Sequence, residues 1–193
     1  MTKSFRVLEN FHPGSEIFIV GKGPSLAFLT AEVFFPSRCP IICLNDSILV
    51  VQAMGLSNPL YSLQKDGDAR YMVEPSETTH LLLQSTPGYS GEYFPDHTNR
   101  YLVDPVTELG FEREETTATE MAIAIARSMG CSHIHMCCCD ILVNGNTGTF
   151  DPFARKSVND AYKTAIYSYA KERIMEQLRS ISHDFIIPKE QNV

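Results

Sequence analysis

Apolar residues run unbroken through positions 17–20, Ile-Phe-Ile-Val, and meet Gly21-Lys22-Gly23-Pro24-Ser25, after which an apolar stretch restarts at Leu26. An uninterrupted run of this kind predicts a strand buried on both faces. Glycines at its carboxyl end permit a tight turn and close backbone approach. Proline suits the first position of a helix, where its missing N–H has no partner anyway. The stretch therefore predicts a strand, a glycine turn and a short helix over 26–33, stopped by Pro36, Ser37 and Pro40. Further apolar runs predict strands at 40–44, 60–64, 79–84, 101–103, 134–139 and 185–187.

Helical signals lie between these runs. Residues 48–54 follow Asp46 or Ser47 as a cap and stop at Gly55. Residues 117–129 open with Thr117 and Glu120 at capping-box spacing and carry Ala122, Ile123, Ala126 and Met129 as an apolar stripe. Residues 160–181 predict a long helix, with Ala161, Ala165, Tyr169, Ile174 and Leu178 roughly on one side. Residues 1–15 read as an irregular lead-in and 144–148 as a flexible turn. A long loop spans about 85–116, interrupted by the short strand at 101–103; loops of such length in compact domains are often lids or binding loops.

Alternating strands and helices predict an α/β fold, a Rossmann-like three-layer sandwich with a mostly parallel central sheet. With 193 residues, positions 1–193 form one domain. Ligands in such sheets bind beyond the carboxyl ends of the strands. That rule selects residues 21–25, 45–47, 66–68 and Asp140. Thr117 joins the same rim if its helix runs antiparallel to the strands.

Composition narrows the partners. A net charge of −7 argues against broad contact with a nucleic-acid backbone. No apolar run of about 18 residues predicts a membrane span, and residues 1–9 lack the apolar segment of a signal peptide. A cytoplasmic location is the expectation. Of the six cysteines, Cys137, Cys138 and Cys139 are consecutive in an apolar context. Adjacent pairs cannot bridge without distortion, so the cysteines read as small hydrophobes rather than a disulfide framework.

A helix amino terminus with free N–H groups makes an anion site, which raises the question of which phosphate the glycine turn holds. The Walker A spacing is absent, and the third glycine of a dinucleotide fingerprint would fall at Leu26. Asp46 does stand near where such folds place a ribose-binding carboxylate, which leaves a nicotinamide-type cofactor open.

Val20-Gly21-Lys22-Gly23-Pro24-Ser25-Leu26 resembles the Gly-x-Gly-Pro-Ser-Leu signature of a group of nucleotide-using transferases. These are bacterial sialyltransferases that use CMP-sialic acid, motility-accessory-factor flagellin glycosyltransferases, and MptE-like 6-hydroxymethylpterin diphosphokinases. Ile41-Ile42-Cys43-Leu44-Asn45 is similar to the second strand of that group, and 119–140 to its later helix, turn and strand ending in aspartate. Lys22 replaces the asparagine common in the sialyltransferases, and Cys139 stands where many members have glycine.

The resemblance implies a nucleotide or nucleotide-sugar donor, an unidentified acceptor, and no covalently bound cofactor. Backbone N–H groups of Gly21, Gly23 and Ser25 would cradle phosphate after the Pro24 turn, and Lys22 would add positive charge. Asn45 and Asp46 would meet ribose or base, with Thr117 on the same rim. Asp140 or Asp66 would bind a metal or act as base; apart from the resemblance, His97 in the long loop and His183 are candidate general bases by their own chemistry. A CMP-sugar glycosyltransferase heads this reading. An ATP-dependent diphosphokinase, with Mg2+ at Asp66 and Asp140, is the alternative, and a non-catalytic nucleotide-binding protein is a third. Self-association stays open.

Other residues have plainer explanations beside their chemical ones. Thr117 and Glu120 are accounted for by capping, and Asp66 and Asp68 by turn formation. Tyr89 and Tyr93 either stack on a ligand or anchor their loop. His133, His135, Cys137 and Cys139 alternate along a strand and share one face, with a zinc-like ligand chemistry. Residues two apart on a strand are roughly 6.5–7 Å apart, so at most two of them reach one ion, with help from elsewhere.

Overall fold

A computed structural model describes residues 3–65, 76–84, 98–112, 116–159 and 161–190. Its strands are β1 (Lys3–Ser4), β2 (Glu16–Val20), β3 (Ile41–Leu44), β4 (Leu60–Gln64), β5 (His80–Gln84), β6 (Arg100–Val103), β7 (His133–Cys137), β8 (Gly148–Asp151), β9 (Lys156–Asn159) and β10 (Ser182–Ile186). The helices are α1 (Ser47–Gln52), α2 (Ala118–Ser128), α3 (Asp140–Asn144) and α4 (Ala161–Arg179). Eight strands form one sheet in the order β1-β6-β5-β4-β3-β2-β7-β10, and every pairing in it is parallel. This is the α/β, Rossmann-like architecture expected from the alternation. No helix of the described residues is long and apolar enough to cross a membrane.

Alternation along the strands divides the core in two. Ile17, Ile19, Ile42, Leu44, Tyr61, Leu63, Leu82, Ile134 and Met136 face α2 and α4. Phe18, Val20, Ile41, Cys43 and Cys137 face the opposite layer, built from Leu26, Leu29, Phe34 and α1 residues Ile48 and Val51. Central strands such as Ile17–Val20 are apolar at every position because both faces are covered.

Four local readings change. The expected helix over 26–33 is two 3-10 turns, Pro24–Phe28 and Ala31–Phe34, because Thr30 is extended between them. Residues 3–8 are not irregular: β1 adds to the sheet edge, and a 3-10 turn at Phe5–Leu8 buries Phe5 and Leu8. The strand expected over 134–139 stops at Cys137, and α3 starts at Asp140. The flexible turn expected at 144–148 spans the end of α3, and Gly148 begins the antiparallel β8–β9 hairpin.

The chain steps outward from β2 through β3, β4, β5 and β6, then returns to place β7 on the other side of β2. The carboxyl ends of β2 and β7 therefore form the topological switch point, where connections diverge and leave a crevice.

Candidate functional site at the carboxyl edge of the sheet

The turn after β2 packs directly on the segment after β7. Gly21 N–H donates to the Cys137 carbonyl and Gly23 N–H to the Cys138 carbonyl, each at 2.8 Å. A Cβ on Gly21 would lie 2.8 Å from the Cys138 oxygen and 2.9 Å from Cys139 Sγ. A Cβ on Gly23 would lie 1.9 Å from Asp140 Oδ2. Close approach, rather than a left-handed backbone, is why glycine is needed here; Gly23 has φ −62°.

This contact revises the simple phosphate cradle. The N–H groups of Gly21 and Gly23 are committed to carbonyls, and the Ser25 N–H points at Asp140 Oδ2 over 3.4 Å. The helix behind Pro24 is a single 3-10 turn, which lacks the aligned dipoles of a long α-helix. A buried carboxylate stands where the anion was expected: Asp140 is 4% exposed and accepts a 2.6 Å hydrogen bond from Ser25 Oγ.

Lys22 reaches from the turn to the end of β3, where its Nζ pairs with Asp46 Oδ1. Both side chains are largely buried, so the pair is screened little by solvent. Asn45 has φ 51°, in the left-handed region that asparagine tolerates better than most residues. Gln64 Nε2 holds the Asn45 carbonyl at 3.1 Å, and Asn45 Oδ1 lies 3.4 Å from the Lys65 N–H. Ser47 Oγ donates to the Val20 carbonyl and ties α1 to β2. Gly21, Lys22, Gly23, Pro24, Ser25, Asn45, Asp46 and Asp140 thus lie along neighbouring strand ends.

Thr117 sits at the start of α2, which leads from the carboxyl end of β6 towards the start of β7. It is held by the capping box: Glu120 N–H donates to Thr117 Oγ1 at 3.1 Å, and Thr117 N–H to Glu120 Oε2 at 2.7 Å. Its hydroxyl is therefore explained by capping. His97, Asp66, Asp68, Tyr89 and Tyr93 lie outside the described residues.

The structure adds residues that the sequence reading passed over. Gln64 and Gln84 end β4 and β5 and are buried, as is Thr116 before α2. Gln64 Oε1, Gln84 Oε1 and Thr116 Oγ1 have no hydrogen-bond partner among the described residues. Buried polar atoms are normally satisfied, so three orphans at this edge point to donors from beyond the described residues, such as a ligand. A signal was visible: both apolar runs, Leu-Tyr-Ser-Leu-Gln and His-Leu-Leu-Leu-Gln, end in glutamine.

The cysteines here belong to the core. All six are free thiols, and burial pushes the Cys138 thiol up to about 12. A thiol so raised is a poor nucleophile at neutral pH.

No protein-family model matches the chain, and no curated protein matches its sequence.

Proposed function

We propose that the chain is a nucleotide-dependent transferase whose donor lies over the carboxyl ends of β2, β3 and β7. The observation that carries this reading is the gathering of polar groups at the switch point. There stand the Lys22–Asp46 and Ser25–Asp140 pairs, and the orphan acceptors of Gln64 and Gln84 continue the same sheet edge at the ends of β4 and β5. Orphan carbonyl oxygens suit a ligand that presents N–H or O–H donors, as a base, ribose or sugar does.

Electrostatics orders the donor chemistries. With the turn's N–H groups committed and two carboxylates beside it, phosphate needs a cation to approach. Lys22 supplies one. Asp46 and Asp140 are the residues that would hold Mg2+, which binds through one or two carboxylates, waters and substrate phosphates. Asp140 fits, since only its Oδ2 is engaged by a described residue. Bound there, Mg2+ would neutralise charge on the diphosphoryl group passing to the acceptor hydroxyl and on the departing AMP. This favours the ATP- and Mg2+-dependent diphosphokinase reading. The CMP-sugar glycosyltransferase reading draws on Lys22 alone, as a cation beside the leaving phosphate.

Thermal shift with a nucleotide panel separates them. Under the first reading ATP raises the melting temperature only with Mg2+, by about 5–10 °C at a hundredfold excess over Kd. Stabilisation by CMP without metal would favour the glycosyltransferase. No shift with any nucleotide would remove the nucleotide reading.

A further inference from the structure

A second cluster stands on the sheet face opposite α2 and α4, towards the amino-terminal ends of β2, β7 and β10. In-register pairing places Ser182 beside His133 and Asp184 beside His135, with Glu16 on the other side of His133. His133, His135 and Asp184 each offer a ligand atom, and these atoms all lie within 4.8 Å of one another. His135 Nδ1 is 2.9 Å from Asp184 Oδ1, and His133 Nε2 is 3.6 Å from Asp184 Oδ2. Donors on one tetrahedral ion with bonds near 2.0–2.1 Å are about 3.3–3.4 Å apart, a spacing these two distances bracket.

The outer nitrogens are held as metal-bound histidines hold theirs. His133 Nδ1 lies 2.8 Å from Ser182 Oγ, and His135 Nε2 lies 3.2 Å from Glu16 Oε2. A hydrogen bond from the far N–H fixes the tautomer and turns the other nitrogen's lone pair inward. The Phe18 ring stacks on His135 at 4.6 Å and sets its plane.

The cluster is incomplete as it stands at one buried nitrogen. His135 faces a carboxylate on each side, an arrangement that draws positive charge, either a proton or a metal ion, to the cluster. His133 Nε2 is buried and has no hydrogen-bond partner among the described residues. A metal ion between the lone pairs and Asp184 supplies His133 Nε2 with its missing partner and meets the charge facing His135.

We propose that His133, His135 and Asp184 form a zinc-type divalent metal site, with Glu16 and Ser182 orienting the two imidazoles. Two nitrogens and one carboxylate suit a transition metal rather than Mg2+, which prefers oxygen alone. Asp184 and Glu16 are half-exposed, which leaves an entry path and a free coordination position. The site lies some three residues, roughly 10 Å along the strand, from the Gly21 turn and is independent of the proposed nucleotide.

The test uses the intact chain stripped with chelator, then titrated with Zn2+ and with Co2+ as a spectroscopic probe. Wild type is expected to bind one equivalent, with Co2+ bands of nitrogen and oxygen ligation and without strong thiolate charge transfer. His135→Ala and the near-isosteric Asp184→Asn should each weaken binding at least tenfold. Glu16→Gln should weaken it about tenfold at unchanged stoichiometry, as loss of a positioning contact does. Excess Mg2+ should not compete. Absence of binding, thiolate ligation, competition by Mg2+, or undiminished affinity in both the His135 and Asp184 variants would overturn the assignment.

Discussion

Gly23→Ala is expected to lower the melting temperature by about 10 °C, roughly 3–5 kcal/mol of stability. The added Cβ would lie 1.9 Å from Asp140 Oδ2 and 2.7 Å from the Cys138 carbonyl oxygen. That carbonyl cannot easily withdraw, because it accepts from Gly23 and because Cys138 N–H is tied to the Ile186 carbonyl at 3.0 Å. Asp140 would have to swing away and lose Ser25, leaving a carboxylate poorly paired in a buried place. Overpacking costs about 1–3 kcal/mol, and loss of a charged hydrogen bond a similar amount. Thermal denaturation of Gly23→Ala, Asp140→Ala and the double variant tests this. The two losses should not add, because one side chain carries both. A wild-type melting temperature for Gly23→Ala would mean that the turn does not pack on Asp140.

Arg173→Ala should be comparably damaging, by about 3–5 kcal/mol, since it strands a buried charge. Arg173 on α4 grips Glu120 on α2 with two hydrogen bonds, Nε to Oε1 at 2.6 Å and Nη2 to Oε2 at 3.1 Å. The Glu120 side chain is 3% exposed and also closes the α2 capping box. Glu120→Gln should cost less, because it removes the charge together with the need to pair it, and Arg173 keeps solvent contact. Burial pushes the Glu120 carboxyl up, but Arg173 and the Thr117 contacts outweigh it and hold it below its ordinary 4.5. A folded value below the unfolded one contributes stability that is fully present above pH 4.5. That contribution is lost as the pH falls through the lowered folded value. Acid denaturation curves should accordingly be steeper for wild type than for Arg173→Ala. Parallel curves would contradict the coupling.

Hydrophobic patterning made the central strands legible because they are buried on both faces, so Ile17–Val20 and Ile41–Leu44 needed no tertiary information. The α2 start was legible for a local reason: Thr117 and Glu120 satisfy each other's turn within four residues. What failed depended on partners distant in sequence. Lys3–Ser4 is a strand only because β6 pairs with it. The layer after Pro24 is two 3-10 turns set by packing of Leu26, Leu29 and Phe34.

At the candidate site, the position of the Gly21 turn was legible, but the use of its N–H groups was not. Cys137 and Cys138 are more than a hundred residues away and offer their carbonyls only once β7 lies beside β2. The alternation of His133 and His135 was visible in the sequence, whereas Glu16 and Asp184 joined them only through strand register.

If a nucleotide sits beside the Gly21 turn, removing the Lys22–Asp46 pair as a unit weakens its binding. Truncating both partners leaves no unpaired buried charge, so the fold should survive where a single truncation would endanger it. The measurement is calorimetric titration of Mg2+·ATP into wild type and into Lys22→Ala/Asp46→Ala. Saturable binding to wild type with at least tenfold weaker binding to the folded double variant is the predicted result; equal affinity for the two, or no binding to wild type, would contradict it.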